Sequence, residues 1–542
     1  MGTIQSIPSS SVSAEGIDSD ARQVITHLTT QLAQAATQLA EANLTIDRLK
    51  NEILLLKHWR FGRHSEKTAA DASGSLFADR APVVAVEAAP IEKSVADQNT
   101  SPTKKKSHGR RPLPADLPVE RVVVEPAPEE KVCQPCGADK IAIGEEVRRE
   151  LDYVPGSIFV REYVRPVYAC PNVCEGQVVI APPPPAPIEK GLPGPGLMAA
   201  VAVNKYVDHL PLARQESRLE REGLFISRQT QSDWMGQAAH LLTCFTGLLR
   251  EEVLRSKVIH TDDTPVTYLD PGGGKPKKGR LWVYHGDRHH PYTFYEFSPN
   301  RQRIWPADTL AGWAGHLQAD AFSGYDALYA PGDIVEVACW AHARRKFKEA
   351  ELSDSKRAVP VLRRIGALYA VERAIREEVA KSGGDFSDPG ERGDRAEELR
   401  RQRRMAEAMP VLSALKGELD ALSLTALPKS PIGQAVHYAL KNWKALTGYA
   451  ENGALAIDNN TAERDMRPVA VGRKNYLFFG SPRGGHTAAT LYTVLASAKR
   501  HGGKPWEYLR DLFTRLPVMK VSGLPDLLPD RWAKTQGDAT HA

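Results

Sequence analysis

Apolar residues return every seven positions from Ile25 to Leu56. Ile25, Leu32, Leu39, Ile46 and Ile53 share one seam, and Leu28, Ala35, Ala42, Leu49 and Leu56 share the other. Mostly β-branched or leucine side chains at a, with leucine or alanine at d, predict a parallel two-stranded coiled coil. Glu52 and Lys57 stand at g and the following e for an interchain ion pair. A helix packed along its own chain would carry the same stripe, but the length of the run favours self-association. The periodicity lapses over residues 65–118, which are rich in Ala, Pro and Ser, the composition of a disordered linker. Residues 196–250 return to helical spacing. From about Ser256 the period drops to two, and Val258–Thr267, Leu281–His285, Tyr292–Phe297, His316–Asp320 and Ile334–Ala338 read as strands. Helical stretches, Arg301–Trp313 and Ser323–Tyr329, separate the later strands, and residues 355–450 are helical text rich in Arg and Glu.

Three neighbouring strands followed by crossover helices and further strands is the order of an RNase H-like α/β domain, in which the first and fourth strands lie side by side. The expected fold class is therefore multidomain. A disordered tail (1–20) precedes the coiled coil (21–60), a basic flexible linker (61–118) and a small zinc-binding module (119–188). A helical, helix-turn-helix-like domain (189–252) leads into the catalytic core (253–350 and 456–515), which is split by a helical insertion (351–455) and followed by a C-terminal tail (516–542).

Composition adds little to this outline: 42% hydrophobic and 25% charged residues with a net charge of +5 describe an ordinary soluble chain. The distribution of charge says more. Basic clusters at Lys104–Lys106, Arg110–Arg111, Lys275–Arg280, Arg344–Lys348, Arg400–Arg404 and Arg473–Lys474 attract phosphate backbones, although each is also what a solvated face looks like. No apolar run reaches the ~20 residues of a membrane span. The N-terminus has no basic-then-apolar signal segment, so no membrane partner and a cytoplasmic, nucleoid-associated location are expected.

Four of the six cysteines form two close pairs, Cys133-x₂-Cys136 and Cys170-x₃-Cys174. In a reducing compartment this pattern suits one tetrahedral structural Zn²⁺ site, with no open position for catalysis. Further on, Pro211–Leu219, the turn Glu222-Gly223 and Ser227–Trp234 read as a helix-turn-helix. Ser227 would cap its second helix, and Arg228, Gln229, Gln231 and Ser232 carry side chains able to read base edges.

The strand order brings Asp262, on the first strand, toward Asp320, at the end of the fourth. Glu463 would add a third carboxylate from a helix that Asn459 or Asn460 caps, with Arg467 one turn on. Carboxylates gathered in this way can hold two Mg²⁺ ions, or Mn²⁺ in their place, for phosphoryl transfer. Arg344, Arg345, Lys346, Arg473 and Lys474 are candidates to hold nearby phosphates. Trp443, Tyr476 and Phe478 suit either core packing or stacking on an unpaired base.

The motifs HTDDTPV (260–266), GRLWVY (279–284), QADAFSGYDAL (318–328), CWAHARRKF (339–347) and IDNNTAERDMRPVAVGRKNYLF (457–478) closely resemble those of the DDE transposases of the insertion-sequence-66 family. FGRHSEK (61–67), GRRPLP (109–114), the cysteine pairs, HLPLARQ (209–215) and LLPDRW (527–532) are similar too, in the same order along nearly the whole chain. The resemblance implies that Asp262, Asp320 and Glu463 are the catalytic Asp, Asp and Glu. Adjacent strand residues face opposite ways, and the family's Asp-Glu-Thr-Pro pattern assigns the ligand to Asp262 and puts Asp263 where Glu is usual. Cys339-x₂-His342 resembles a Cys-x₂-His signature that precedes a helical insertion. His342 is open to either a phosphate or flipped-nucleotide contact or a structural role, and Cys339 to packing. The implied activity is Mg²⁺-dependent cleavage and strand transfer of double-stranded DNA, with terminal inverted repeats and target DNA as partners. A homodimer or higher oligomer is expected through the coiled coil, and the resemblance implies that small accessory proteins of the same element take part. A catalytically silent, domesticated DNA-binding protein and an RNase H-like nuclease without strand transfer are the alternatives.

Overall fold

The computed structural model describes residues 117 and 119–539, except 155, 172–177 and 271–272, together with 27–32, 34, 35 and 38 of the N-terminal segment. Those N-terminal residues are helical, and Leu28 and Leu32, one on each heptad seam, are exposed. The rest of the heptad run, the linker with its basic clusters, and Cys174 lie outside the described residues.

The chain forms two compact units. The larger takes in Ser101–Arg344, Arg364–Gly417 and Tyr438–Ala542, and the smaller takes in Arg345–Arg363 and Glu418–His437 with the N-terminal segment. Within the smaller unit, Arg357 donates its backbone N–H to Asp354 Oδ1 (3.2 Å) and its guanidinium to Thr425 O (3.2 Å), which ties two helical pieces together.

The larger unit opens with a sheet of four strands, β1 (Val119–Val123), β2 (Ile141–Val154), β3 (Ser157–Ala169) and β4 (Val178–Ile180). The long β2–β3 hairpin is antiparallel, and Gly156, at φ +95°, makes its turn. Helices α1 (Pro195–Tyr206), α2 (Leu212–Arg221), α3 (Arg228–Leu241) and α4 (Thr243–Leu254) follow. The α2–α3 pair forms as the sequence suggests: Gly223, at φ +82°, turns the chain, and Ser227 Oγ accepts the Thr230 N–H at 3.1 Å as the N-cap of α3.

The second sheet holds all five expected strands, β5 (Val258–Tyr268), β6 (Lys277–His285), β7 (Thr293–Ser298), β8 (Gly315–Ala319) and β9 (Ile334–Ala338), in the order β7-β6-β5-β8-β9. β6 is antiparallel to both neighbours, β8 is parallel to β5, and β9 is parallel to β8. Leu281, Trp282, Val283 and Tyr284 are all buried, so β6 is covered on both faces and its sequence does not alternate there. The helix expected over Arg301–Trp313 shortens to Ile304–Thr309. Gly312 turns the chain at φ +74°, and the Trp313 indole donates to Ser256 O at 2.8 Å.

Three later helices complete the frame: α5 (Trp340–Glu351), α6 (Asn460–Tyr476) and α7 (Pro482–Arg500). α7 seals the β7 edge, where Thr293 N–H donates to Ser497 Oγ (3.1 Å) and Tyr295 N–H to Thr493 Oγ1 (2.8 Å). An exposed edge strand invites pairing with another chain, and these two buried hydroxyls close it. Between α5 and α6 the insertion is helical, with helices Ser355–Lys381, Glu391–Arg403, Met409–Thr425 and Pro431–Lys441. No helix among the described residues is long and apolar enough to cross a membrane.

Candidate active site

Strand β5 carries Asp262 and Asp263 on opposite faces, and their surroundings differ accordingly. Asp263 is bound by two arginines: Arg301 donates Nε (2.9 Å) and Nη2 (2.7 Å) to Oδ1, and Arg280 Nη1 lies 2.9 Å from Oδ2. Its side chain is 2% exposed, so this carboxylate is committed to the fold. Among the described residues, the Asp262 carboxylate accepts only the Asp263 backbone N–H, at 2.8 Å.

Strands β5 and β8 pair in parallel with His260 opposite Gln318. Continuing that register sets Asp320, the first residue past β8, level with Asp262. Ala321, at φ +60°, then turns the chain away, and Asp320 Oδ1 accepts the Phe322 N–H at 3.1 Å. Arg301, bound to Asp263, also reaches toward Asp320, its Nη2 3.7 Å from Asp320 Oδ2 and its guanidinium 3.7 Å from the centre of the Phe322 ring.

Glu463 arrives from the first turn of α6. The segment leading into that helix is pinned from two strands and the start of α5. Gln318, fully buried on β8, donates to Ala456 O (2.7 Å) and Asp458 O (3.1 Å) and accepts the Ala456 N–H (3.3 Å). Trp340 N–H, just after β9, donates to Ile457 O at 3.2 Å. Asn459 does not cap the helix with its side chain. Instead its amide donates to Thr261 O on β5 (2.8 Å) and its carbonyl faces His260 Nδ1 (3.1 Å). On the other side of α6, Asp465 Oδ2 pairs with His285 Nδ1 of β6 at 2.6 Å, and Asp465 O accepts the Tyr295 hydroxyl at 2.6 Å.

Burial, followed by the nearby Asp320, Asp263 and Glu463 carboxylates, pushes Asp262 up to about 7, opposed by the Asp263 N–H. Glu463 Oε1 is buried without a hydrogen-bond partner. Crowded carboxylates with an unsatisfied oxygen are a donor set suited to a hard divalent cation, which would relieve the repulsion.

His342 Nδ1 stands 3.8 Å from Glu463 Oε1. Ligand atoms of Cys339, His342 and Glu463 lie within 4.8 Å of one another. Cys339 is fully buried, its sulfur accepts the Asn459 N–H at 3.2 Å, and burial pushes its thiol up to about 12. A neutral thiol so engaged anchors α5 against the α6 entry.

The other sequence-derived candidates divide. Arg228, Gln229 and Ser232 are exposed on α3. Gln231 is fully buried and its amide donates to Ile226 O at 2.9 Å, which corrects the expectation that it reads bases. Arg344 is half-buried, Arg345 and Lys346 follow it exposed on α5, and Arg467 and Lys474 are exposed on α6. Arg473 is half-buried and tied to β5, donating Nη1 to Thr264 Oγ1 (2.7 Å) and Pro265 O (2.6 Å). Trp443 packs edge-on against Trp340 and Tyr476 stacks on Phe479, whereas Phe478 remains 47% exposed. Asn459, Gln318 and Arg301 were not singled out as functional from the sequence, because their roles depend on partners distant in the chain.

In the first sheet, Cys133, Cys136 and Cys170 bring their sulfurs within 4.8 Å of one another, with Cys136 and Cys170 3.6 Å apart. A tetrahedral site with Zn–S near 2.3 Å has sulfur–sulfur edges of about 3.8 Å. The loop is wound for such a site: Gly137 N–H donates to Cys133 O (2.8 Å) and Cys133 N–H to Ala138 O (2.9 Å). Purified protein is expected to carry about one zinc ion per chain. Elemental analysis of Cys133→Ser should show that metal lost, and an unchanged zinc content would rule the site out.

A cysteine cluster, a helix-turn-helix and a sheet with converging carboxylates are the parts of a transposase. Residues 190–487 match the family model described as Transposase IS66 family, and residues 130–175, spanning all four paired cysteines, match the zinc-finger binding domain of transposase IS66. Residues 48–122 match Transposase C of IS166 homeodomain, and 493–529 match the IS66 C-terminal element. The chain belongs to the IS66 transposase family. The uncharacterized protein y4qI of Sinorhizobium fredii (strain NBRC 101917 / NGR234) is 31% identical over 519 residues, covering 91% of this chain and 92% of its own. The uncharacterized protein y4jD from the same strain is 30% identical over 523 residues, covering 93% and 98%.

Proposed function

We propose that this chain cuts and rejoins DNA at the Asp262–Asp320–Glu463 site, on a sheet of the RNase H-like kind. The crowding of those three carboxylates on adjacent strands and one pinned helix carries the reading. Asp262, Asp320 and Glu463 would hold two Mg²⁺ ions, or Mn²⁺. Bound there, such ions supply Lewis acidity to both the attacking and the leaving oxygen of an in-line displacement.

The chain's own contributions follow from its geometry. Asp263 holds Arg301, and Arg301 in turn keeps Asp320 facing Asp262. Asn459 and Gln318 fix the approach of Glu463. His342 and Arg344, at the start of α5, would meet the phosphate being cut. Water attacks phosphorus and the bond to O3′ breaks, freeing a 3′-hydroxyl. That hydroxyl then attacks a target phosphorus, whose own bond to O3′ breaks in turn. No covalent protein–DNA intermediate is needed. The zinc module and the exposed face of α3, with Arg228 and Gln229, read the terminal inverted repeats. The exposed heptad leucines dimerise the chain, which works in the cytoplasm at the nucleoid with small accessory proteins of the same element.

A duplex carrying the element's terminal repeats, incubated with protein, target DNA and Mg²⁺, is expected to yield joined donor–target strands. Cleavage without joining would instead identify a nuclease. Binding without either reaction would identify a domesticated DNA-binding protein.

A further inference from the structure

A cavity of about 280 Å³ opens between the helix-turn-helix and the core, well away from the carboxylates. Its walls come from α1, α3, the loop after α6 and the start of α7, all within the larger unit. Three features point to an anion. Lys205 of α1 lines the cavity half-buried, and among the described residues it has no hydrogen bond or ion pair, only the faces of Tyr206 (5.6 Å) and Tyr476 (5.3 Å). Burial draws its ammonium down to about 8, a penalty that a bound anion would reverse. Arg483, in the first turn of the 19-residue helix α7, adds a second cation to the same cavity, and the helix dipole favours negative charge there.

The packing leaves space for that arginine. A Cβ at Gly236 of α3 would lie 3.2 Å from Arg483 Nη2, so the glycine keeps α3 clear of the guanidinium. Gln229 and Ser232 of α3 line the same cavity, as does Asp233, whose Oδ1 accepts the Gln229 amide at 3.1 Å. Phe478 forms an exposed apolar rim.

We propose that this cleft holds a backbone phosphate of duplex DNA between Lys205 and Arg483, clamping the helix-turn-helix and the core onto one segment of DNA. The inference rests on the reading of the chain as a DNA-processing transposase and gives that reading a second contact point. The geometry also sets a spacing. Phe479 N–H donates to Thr267 O and Leu269 N–H to Phe479 O, each at 2.9 Å, so the cavity loop is fixed to the far end of the strand that carries Asp262. At ~3.3 Å per strand residue, Tyr268 lies about 20 Å from Asp262, or roughly six base pairs of duplex. A phosphate in the cleft would therefore belong to the segment flanking the cut.

Two measurements on full-length protein test the proposal. In the first, binding to a duplex of about 30 base pairs is titrated across salt, and Lys205→Met and Arg483→Gln should each flatten the slope of log K against log salt, the double variant by about 0.9, the loss of one phosphate contact. An unchanged slope in both variants overturns the proposal. Arg483 is exposed, so its variant remains informative if Lys205→Met fails to fold. The second uses no DNA. Inorganic pyrophosphate should protect Lys205 from acetylation in the unmodified protein and fail to do so in Arg483→Gln. Absence of protection overturns the cleft as an anion site. Protection in a protein that binds no duplex would overturn the DNA reading alone.

Discussion

Replacing Asp262 with Ala is expected to reduce DNA cleavage and strand transfer by roughly a thousandfold or more, while binding to duplex ends stays within a few-fold of the unmodified protein. Asp320→Ala and Glu463→Ala should match it, and the triple variant should be little worse than any one, because the three carboxylates act as a unit. A triple variant that still joins ends to target would refute the site. Asp263→Asn provides the contrast. Its carboxylate is bound by Arg280 and Arg301, so the change should lower stability by leaving two partly buried guanidiniums without their partner. Its residual strand transfer should exceed that of Asp262→Ala.

The same site predicts a pH dependence. Asp262 is pushed up to about 7 in the metal-free fold from an ordinary 3.8. Between those values the folded state keeps a proton that the unfolded chain has lost. Metal-free stability should therefore fall as pH rises from about 4 to about 7. Divalent cations compete with that proton, so Mg²⁺ affinity should climb with pH up to about 7 and level off above it. Calorimetry across this range should show both trends weakened in Asp262→Asn. Identical profiles for the two proteins would mean that Asp262 is not the titrating group.

The second large effect lies outside the carboxylate cluster. Arg404 is fully buried in the insertion, where its guanidinium donates to both oxygens of Glu372 (2.6 and 3.0 Å) and to Tyr449 O (2.7 Å), Asn452 O (3.1 Å) and Leu455 O (2.9 Å). Arg404→Ala leaves Glu372 charged in a buried place and three carbonyls without their donor, and it should lower stability by about 3–5 kcal/mol. Replacing Arg404 and Glu372 together by Met and Leu should recover only part of that loss, since the carbonyls remain unsatisfied. Denaturant unfolding checks this, and a change below about 1 kcal/mol for Arg404→Ala would contradict the assignment. The carbonyls belong to the segment that runs on to Asn459 and Glu463. Strand transfer at temperatures well below unfolding should therefore also fall, through misplacement of Glu463.

Much of the layout was legible before any coordinates. Strand-like runs located all five strands of the second sheet, although β6 does not alternate, and β9 matches its expected bounds, Ile334–Ala338. Turn and cap chemistry located α2 and α3 correctly, because Gly223 and Ser227 act on residues within one turn of themselves. The helix expected over Arg301–Trp313 came out short, because a tertiary contact from Trp313 overrode local propensity. Gln231 was misjudged for a related reason. Its polarity suggested exposure, but a single hydrogen bond to Ile226 O satisfies it in the interior.

The carboxylates divide along the same line. Strand periodicity and order, which are local and topological, determined that Asp262 and Asp320 should be neighbours, and the family motif chose Asp262 over Asp263. Only the tertiary structure supplied a physical reason for that choice, by placing Arg280 and Arg301 on Asp263 and leaving Asp262 among other acids. Only it made Asn459 the link between α6 and β5, through a hydrogen bond to a residue 198 positions away. Spacing along a chain encodes contacts within a turn or a strand. Partners that satisfy a buried charge or amide come from whatever the fold brings alongside.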